Sequence, residues 1–385
     1  MENKTINALD LFSGAGGFSL GMELAGVNVV TAIEYDEKIS KTYKFNHPNT
    51  VMINDDIRKV PALDKDISEN TNILSVESIF KNQNKEVDII FGGPPCQGFS
   101  MAGYRIRNQK PFFEDERNLL YLEYLRMVEK LFPKVFIIEN VPGILNFDEG
   151  RISNEITERF EKMGYDVHAR VLSAEEFGVP QKRKRAFFIG NRLGKKSKDL
   201  FPKSTLKPEE YTTVWDALSD LPSLKSGHGI EPTSYAKDSQ NEYQKMMRAD
   251  VEKEGFFNHI SAMHKPATIE ILKMIKPGQT MKDLPEHMRT KSVHSGAYGR
   301  MNPDEPAYTI TTRLNTPSVG RITHPIDNRT ITPREAARIQ SFPDNYRFLG
   351  DITTIGMQIG NSVPPLLAKK IGENIINLLK DNSQI

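Results

Sequence analysis

In the first 190 residues, hydrophobic positions come in short continuous runs, separated by stretches in which apolar residues recur at helical spacing. Short continuous apolar runs are typical of strands buried on both faces, as in a parallel sheet. We predict strands at residues 8–12, 27–33, 51–53, 87–91, 135–138, 165–173 and 186–190. Helices are predicted at residues 18–25, before residue 131 and at residues 151–163. Strands that alternate with helices predict an α/β fold with a mostly parallel sheet.

The pattern changes after residue 190. Polar residues and prolines recur with few apolar runs, and most of residues 225–300 is predicted to be irregular. Order returns with an alternating strand at residues 308–312, a helix that opens at Thr332 and Pro333, and a C-terminal helix at residues 366–379. We therefore place a domain boundary near residue 191.

Composition limits the setting and the chemistry. The chain has 385 residues, a formal net charge of +1 and a single cysteine, Cys96. One cysteine excludes internal disulfides and cysteine-rich zinc sites, and the histidine spacing fits no common zinc pattern, so we expect no metal. Because no apolar run is long enough to cross a bilayer and the N-terminus lacks the apolar core of a signal peptide, we expect a soluble, cytoplasmic protein.

Residues 91–100, Phe-Gly-Gly-Pro-Pro-Cys-Gln-Gly-Phe-Ser, hold the cysteine at the exit of a predicted strand. The two glycines stop the strand, and Pro94 and Pro95 stiffen the loop that carries the thiol. A lone cysteine is most often a small buried hydrophobe. Since a core position needs no such frame, the setting favours a reactive thiol at the sheet edge where α/β proteins bind ligands.

A glycine-rich turn, Ser13-Gly14-Ala15-Gly16-Gly17, follows the first predicted strand and leads into a helix, as in a nucleotide cradle. A dinucleotide fold has glycines at the first, third and sixth positions, but the sixth position counted from Gly14 is Ser19. This departure argues against NAD. Together with Asp10 it suits a ligand without a pyrophosphate, such as S-adenosylmethionine. Glu34, at the end of the next strand, could accept hydrogen bonds from both ribose hydroxyls.

Three further motifs follow in order. Glu139-Asn140-Val141 ends a strongly apolar predicted strand. The last predicted strand of this region is preceded by Gln181-Lys182-Arg183-Lys184-Arg185. In an extended segment the glutamine and the two arginines of this motif share one face. The two lysines lie on the other face and could meet phosphate. Residues 358–365, Gln-Ile-Gly-Asn-Ser-Val-Pro-Pro, lead the C-terminal helix.

In this order the motifs resemble those of the DNA cytosine-5 methyltransferases of prokaryotic type II restriction-modification systems. The resemblance covers nearly the whole chain and is weak only from about residue 191 to residue 300. It implies a Rossmann-like, S-adenosylmethionine-dependent methyltransferase domain at residues 1–190 and 355–385, and a target-recognition domain at residues 191–354.

The resemblance also implies a mechanism: a methyl group passes from S-adenosylmethionine to carbon 5 of a cytosine flipped out of a specific short double-stranded DNA sequence. Cys96 would attack ring carbon 6, and Glu139 would stabilise the protonated ring. Arg183 and Arg185 would hold the glutamate and the cytosine carbonyl oxygen, with the choice between them open. We expect a monomer without membrane partners that is paired functionally with a cognate restriction endonuclease.

The cofactor site is implied by the same resemblance. An aspartate after the third strand would face the adenine amino group, and Asp56, which is followed by isoleucine, matches better than Asp55. The implied cofactor-binding set is Phe12, Gly14, Ala15, Gly16, Gly17, Glu34, Tyr35, Asp56, Ile57, Pro95, Leu120, Asn361 and Val363.

Two alternatives stay open. A transfer-RNA cytosine-5 methyltransferase of the same superfamily shares the pocket motifs, although Gly98-Phe99-Ser100 and the long recognition segment favour DNA. A catalytically silent DNA-binding homologue would normally lack the cysteine or the glutamate, and both are present.

Overall fold

The computed structural model describes residues 5–67, 73–95, 120–251, 255–290 and 296–381. The chain divides into two compact units. Unit 1 consists of Met1–Ser173, Lys184–Lys203 and Ala368–Ile385, and unit 2 consists of Ala174–Arg183 and Ser204–Leu367.

These bounds differ from the predicted division at residues 190 and 355. Residues 174–183 and 355–367 belong to unit 2, and residues 191–203 belong to unit 1. The sequence does not reveal this because residues 181–182 pair with a strand that lies more than a hundred residues further along the chain. The functional labels of the two units stay predictions.

Unit 1 is built around a seven-stranded sheet. Its strands are β1 Asn7–Leu11, β2 Asn28–Ile33, β3 Val51–Ile53, β4 Ile89–Gly92, β5 Val135–Asn140, β6 Asp166–Ser173 and β8 Lys184–Asn191, while β7 Gln181–Lys182 belongs to unit 2. In space their order is β3-β2-β1-β4-β5-β8-β6. The first five strands pair in parallel, and β8 runs antiparallel to both of its neighbours.

The apolar runs explain why this sheet forms. Every residue of β1 and β4 is buried, as are all but one of β5, which is the pattern of strands covered on both faces. Leu9, Ile90 and Phe136 belong to one hydrophobic core. The helices along this part of the chain are α1 Gly17–Leu24, α2 Glu37–Asn46, α3 Val76–Lys81, α4 Leu120–Leu131 and α5 Arg151–Lys162. The predicted α/β fold class is confirmed.

Strand order locates the functional edge of the sheet. β1 lies between β2 and β4. Successive strands are therefore added on one side of β1 up to β3 and on its other side from β4 onward, which makes the β1/β4 pair the topological switch point. In open α/β sheets, ligands bind beyond the carboxyl ends of the strands at such a switch point. The glycine turn follows β1 and the Gly93-Pro94-Pro95 loop follows β4, so both predicted site loops leave the sheet there.

Unit 2 has little regular structure. Its helices are α6 Val214–Leu218, α7 Glu242–Met247, α8 Pro266–Met274, α9 Pro333–Ile339 and α10 Ile352–Asn361, and α11 Pro365–Asp381 begins in it. Strand β9, Ala307–Tyr308, pairs in parallel with β7.

Buried arginines organise unit 2 around α9. Arg338 bonds Asp220 (Nη1 to Oδ1, 2.7 Å) and Asp344 (Nη2 to Oδ2, 2.6 Å), and all three side chains are fully buried. Arg329 donates from both terminal nitrogens to Glu335, at 2.8 Å each. Removing one member of such a buried pair costs roughly 3–5 kcal/mol, because the remaining charge is left unpaired. A segment without continuous apolar runs is therefore fixed by charge pairing.

Helix α10 is absent from the sequence-based prediction, and β9 is shorter than the predicted strand at residues 308–312. The two segments meet at two close approaches: a Cβ on Gly360 would lie 2.8 Å from the Thr311 carbonyl, and one on Gly356 would lie 2.7 Å from the Thr312 carbonyl oxygen. Glycine lowers helix propensity, so the segment carries a weak helical signal. The glycines are there to let the helix backbone approach residues 311–312 closely.

Three buried histidines of unit 2 should make its stability depend on pH. Burial lowers the pKa of His259, His264 and His324. In the unfolded chain the histidine pKa is about 6.5, so as pH falls through that value the unfolded state takes up protons that the folded state does not. We expect the free energy of unfolding to fall between pH 8 and pH 5.5, by at most about 1.4 kcal/mol per pH unit for each histidine.

The fluorescence of Trp215, the only tryptophan, reports unfolding of unit 2 because it lies in α6. His259 bonds Thr332 Oγ1 at 3.0 Å and Pro222 O at 2.9 Å, both of which glutamine can retain without titrating. His259→Gln should flatten the pH dependence, whereas the matched change at the exposed His228 should leave it unchanged. A melting temperature with the same pH profile in all three proteins would contradict the assignment.

Candidate functional site

Hydrogen bonds to strand β2 and the residue after it fix the turn after β1. Ser13 N donates to Ile33 O (3.0 Å), and Gly14 N donates to Glu34 Oε2 (2.9 Å). The other oxygen of Glu34 accepts from Asp36 N at 2.8 Å. Burial raises the pKa of the Glu34 carboxyl, although these backbone hydrogen bonds oppose the shift. Glu34 is thus held beside the glycine turn.

The turn borders open space. A Cβ on Gly14, whose φ is +56°, would meet no heavy atom within 4 Å. Tyr35 has 75% of its surface exposed, whereas Ala15, Gly16 and Gly17 are buried. Phe12 has a φ of 58°, an uncommon conformation for a residue other than glycine, and it packs half-buried against the core of unit 1.

Asp10 is a buried acid at the end of β1. Its Oδ2 accepts from Ser19 Oγ at 2.6 Å, and Ser19 Oγ is 2.7 Å from Tyr43 Oη. Its Oδ1 has no hydrogen-bond partner within the described part of the chain. Burial, with smaller contributions from the Glu34 and Glu23 charges, raises the pKa of Asp10 well above its ordinary value. Burial therefore favours the protonated form of Asp10, and one oxygen of its carboxyl is unused within the described residues.

The structure gives Asp56 a partner that the sequence did not suggest. Arg58 donates from Nε to Oδ1 at 3.0 Å and from Nη2 to Oδ2 at 2.6 Å, which lowers the pKa of the Asp56 carboxyl. Asp55, the rival candidate, accepts from Asp56 N at 2.7 Å. Ile57 is buried, and Leu120 is half-buried at the start of α4.

A carboxylate and a guanidinium pair where β5 and β8 meet. Glu139 lies near the end of β5 opposite Phe187 of β8, and its Oε1 is 2.7 Å from Arg185 Nε. Both side chains are largely buried, at 12% and 15% exposure. A Cβ on Gly93 would lie 2.8 Å from Glu139 Oε2, so the carboxylate occupies the space left by the missing side chain.

Asn140 joins the same strand end to the loop after β4. Its Nδ2 donates to Pro94 O at 3.1 Å, and its Oδ1 accepts from Val141 N at 2.8 Å. Pro95 is exposed at the end of the described part of this loop. Cys96, the predicted nucleophile, lies outside the described residues. The described strand ends therefore bring Glu139, Arg185 and Asn140 to the base of the loop that continues to Cys96.

The two arginines of the Gln-x-Arg-x-Arg motif have different partners. Arg183 belongs to unit 2 and is fully buried, with Nη2 donating to Gly360 O (2.8 Å) and Ser362 O (3.1 Å). Gln340 Nε2 donates to the same Ser362 carbonyl at 2.6 Å. Arg185 belongs to unit 1 and pairs with Glu139. Alternation in an extended segment placed both arginines on one face and left open which of them would contact the base, and these contacts distinguish them.

Asn361 and Val363 flank the carbonyl that Arg183 and Gln340 hold. Asn361 is exposed at the end of α10, and Val363 is buried. Because cationic donors stabilise the unpaired carbonyls at a helix C-terminus, Arg183 acts as a side-chain cap for α10. It fixes the backbone on both sides of Asn361.

Sequence reasoning assigned no role to Ser19, Tyr43 or Asn140. Asn140 stood in a recognised motif, so its position at a strand end was a usable signal. Ser19 and Tyr43 meet through the contact of α1 with α2, and α2 was not predicted. In the described part of the chain there is no group of three or more potential metal-ligating side chains and no helix long and apolar enough to span a membrane.

The sheet order and the open glycine turn are typical of open α/β folds that bind ligands beyond the carboxyl ends of their strands. The family model of C-5 cytosine-specific DNA methylases matches residues 6–377, and the chain belongs to that family.

Curated relatives agree on the kind of enzyme. The chain is 37% identical to the type II methyltransferase M.DdeI of Desulfomicrobium norvegicum, over 98% of this chain and 92% of the relative. It is 34% identical to the type II methyltransferase M1.HphI of Haemophilus parahaemolyticus, over 97% and 87% of the two chains. The protein is a DNA cytosine-5 methyltransferase of the type II restriction-modification kind.

Solved structures confirm the predicted Rossmann-like methyltransferase fold. A prophage-encoded protein of Escherichia coli, described as a DNA modification methyltransferase, matches with a TM-score of 0.75 and 28% identity, over 98% of this chain and 100% of that chain. The Dnmt2 methyltransferase of Schizosaccharomyces pombe matches with a TM-score of 0.57 and 17% identity, over 98% and 99%, which supports the fold alone.

The contact of Gly93 with Glu139 predicts an effect on activity from one methyl group. In Gly93→Ala the new Cβ would lie 2.8 Å from Glu139 Oε2 and force the carboxylate to move. We expect kcat for methyl transfer to fall about ten- to a hundred-fold, as for a catalytic group displaced by about 1 Å. Gly320→Ala, whose Cβ would make only contacts of 3.8 Å or more, is the control. Equal kcat in both variants would rule out this packing.

The different partners of the two arginines predict separable effects. Arg183→Ala should lower the melting temperature that Trp215 fluorescence reports, with a loss of roughly 1–3 kcal/mol of stability from unpaired buried carbonyls. Arg185→Ala leaves those carbonyls bonded and should instead lose kcat, since Arg185 pairs with Glu139. Unchanged stability in Arg183→Ala would contradict its role as a cap.

Proposed function

We propose that the protein transfers a methyl group from S-adenosylmethionine to carbon 5 of a cytosine flipped out of a short, specific sequence of double-stranded DNA. The observation that carries the proposal is the Glu139–Arg185 pair, packed against Gly93 at the base of the loop that continues to Cys96. Methylation of cytosine at carbon 5 needs a nucleophile and an acid close together in one site. This strand end supplies the acid and a cation that orients it.

The residues beside the glycine turn fit S-adenosylmethionine. Gly14 borders open space, and the carboxyl groups of Glu34 and Asp10 are close enough for the Glu34 charge to raise the pKa of Asp10. Acidic groups suit ribose hydroxyls and a cationic ligand, and they disfavour a pyrophosphate. When bound, S-adenosylmethionine supplies a methyl group made electrophilic by its sulfonium.

We propose that all the predicted cofactor residues belong to the S-adenosylmethionine site. Glu34 would hold the ribose, and the turn would follow the methionine portion. Asp56 would face the adenine amino group, which would then compete with Arg58 for its carboxylate. The remaining members of the proposed site are Phe12, Ala15, Gly16, Gly17, Tyr35, Ile57, Pro95, Leu120, Asn361 and Val363.

The chain's own residues carry the ring chemistry. Flipping exposes carbon 6 of the cytosine, which a stacked base hides, at a cost of a few kcal/mol. The Cys96 thiolate forms a bond to carbon 6, and Glu139 donates a proton or hydrogen bond to the ring nitrogen that takes up the electron pair. Carbon 5 would then be nucleophilic, and its bond to the methyl group would form as the methyl–sulfur bond of the donor breaks, with S-adenosylhomocysteine as the leaving group. Loss of its proton, with expulsion of Cys96, restores the aromatic ring.

Arg185 is the arginine that we assign to the reacting base. It is already bonded to Glu139 and is largely buried, so it can orient the acid and direct a second donor to the cytosine carbonyl oxygen. Arg183 acts on the backbone at residues 360–362 instead.

The relatives support a place in a restriction-modification system, where methylation protects the host DNA from a cognate endonuclease. We propose that the protein acts as a monomer in the cytoplasm. The sequence that it methylates would be read by unit 2, which corresponds to the predicted target-recognition domain.

Methyl transfer from labelled S-adenosylmethionine to unmethylated genomic DNA and to bulk transfer RNA tests the proposal. We expect label in DNA only, at one short recurring sequence once 5-methylcytosine is mapped at base resolution. Cys96→Ala should abolish transfer, and Glu139→Gln should reduce it about a hundred-fold or more, because the ring nitrogen is no longer protonated.

A duplex with 5-fluorocytosine at the target position tests the covalent step directly. Fluorine cannot leave carbon 5 as a proton does, so with S-adenosylmethionine present the wild-type protein should form a complex that survives denaturation, and Cys96→Ala should not. Label confined to transfer RNA would overturn the DNA assignment. Binding of DNA without any transfer would indicate the silent homologue.

A further inference from the structure

Outside the proposed active site, unit 2 presents an exposed tyrosine between two cations. Tyr308 lies on β9 directly opposite Lys182 of β7, and half of its surface is exposed. The Arg321 guanidinium carbon is 4.2 Å from the ring centroid, and Lys182 Nζ is 5.7 Å from it. Both distances are within the range of cation–π attraction. We call Lys182, Tyr308 and Arg321 the cation–aromatic cluster.

Packing and backbone hydrogen bonds hold the cluster in place. A Cβ on Gly299 would lie 2.5 Å from Arg321 Cγ, and one on Gly296 would lie 3.2 Å from the same atom, so the arginine stem crosses two side-chain-free positions. Arg321 Nη1 also donates to Gly278 O at 3.2 Å. Thr309 Oγ1 donates to Lys182 O at 2.8 Å. The Arg321 side chain and the Lys182 backbone are therefore held by the fold.

The cluster has its own anion. Glu305 Oε2 is 2.7 Å from Lys182 Nζ, and Glu305 Oε1 accepts from Asn302 Nδ2 at 3.0 Å. The hydrogen bond from Lys182, followed by that from Asn302, lowers the pKa of Glu305, so it is ionised at neutral pH. The lysine and glutamate side chains are 40% and 49% exposed. An ion pair in such contact with water contributes about 0–1 kcal/mol, so another anion can replace Glu305 at little cost.

We propose that the cation–aromatic cluster is a contact site for the DNA phosphate backbone, in which a phosphate displaces Glu305 from Lys182. The inference rests on the DNA substrate of the proposed function. Two cations held by one ring fit a chain of regularly spaced anions, as in proteins that follow a nucleic-acid backbone. Contacts of this kind position the protein on DNA and contribute affinity without reading sequence. Glu305 weakens them and so limits retention on non-target DNA.

Duplex binding by fluorescence anisotropy, without cofactor, tests the site. Lys182→Ala and Arg321→Ala should each weaken binding roughly three- to ten-fold near 0.1 M salt, equally for duplexes with and without the target sequence. Each should reduce the slope of log affinity against log salt by about 0.9, the value for one phosphate contact. Tyr308→Ala should weaken binding, and Tyr308→Phe, which keeps the ring, should not.

Lys245→Ala is the matched control, because Lys245 is also an exposed lysine of unit 2 that pairs with a glutamate, Glu242. We expect its affinity and salt slope to equal those of wild type. Should Lys182→Ala and Arg321→Ala behave like this control while all variants keep the wild-type melting temperature, the phosphate site is refuted.

Glu305→Gln tests the displacement. It removes the competing charge, so binding should become about two- to five-fold tighter. In the Lys182→Ala background the same substitution should have no effect, because Glu305 acts through Lys182. A gain that persists in that background would overturn the displacement.

Methyl transfer separates this proposal from the proposed function. If wild type binds the duplex tightly with the predicted salt slopes but transfers no methyl group, the phosphate site is supported and the proposed activity is refuted. Normal methyl transfer with an unchanged KM for DNA in Lys182→Ala and Arg321→Ala would support the activity and refute the phosphate site.

Discussion

Parallel pairing of β1 with β4, and of β4 with β5, is the constraint on which the proposed active site depends. Parallel strands end at one edge, so the residues that follow them must meet there whatever their separation in sequence. Gly92 shows how tight the pairing is, since a Cβ on it would lie 2.0 Å from Leu11 O. The glycine turn, the loop toward Cys96 and Glu139 all take their positions from these three strands.

The two units differ in how their buried charged side chains are stabilised. In unit 1 the strands are apolar, and the buried acids Asp10 and Glu139 lie at strand ends, each with a polar neighbour. In unit 2 the arginines of the α9 region are buried beside apolar side chains and are paired with Glu335, Asp220 and Asp344. Ion pairs specify geometry more narrowly than aliphatic contacts do. An irregular chain can therefore hold one conformation with few continuous apolar runs.

Neighbouring residues of the Gln-x-Arg-x-Arg motif have different structural roles. Gln181, Lys182, Arg183 and Arg185 are nearly consecutive, yet the structure gives each a different partner. Gln181 and Arg183 stabilise unit 2, Arg185 orients the glutamate, and Lys182 faces outward beside Tyr308. One short segment thus connects the proposed chemistry, the C-terminal segment with Asn361 and the proposed DNA contact.

The sequence by itself determined the α/β class, the strand positions in unit 1 and the residues that stand at the strand ends, because apolar runs and glycine or proline breaks are local signals. It also determined that Glu34 and Glu139 lie at the ends of β2 and β5. The tertiary structure alone decided the bounds of the units, helix α10, the separate partners of Arg183 and Arg185, and the cation–aromatic cluster. Arg183 and Gly360 are 177 residues apart, and no local pattern specifies which carbonyl a buried guanidinium will meet. That choice depends on how distant segments pack.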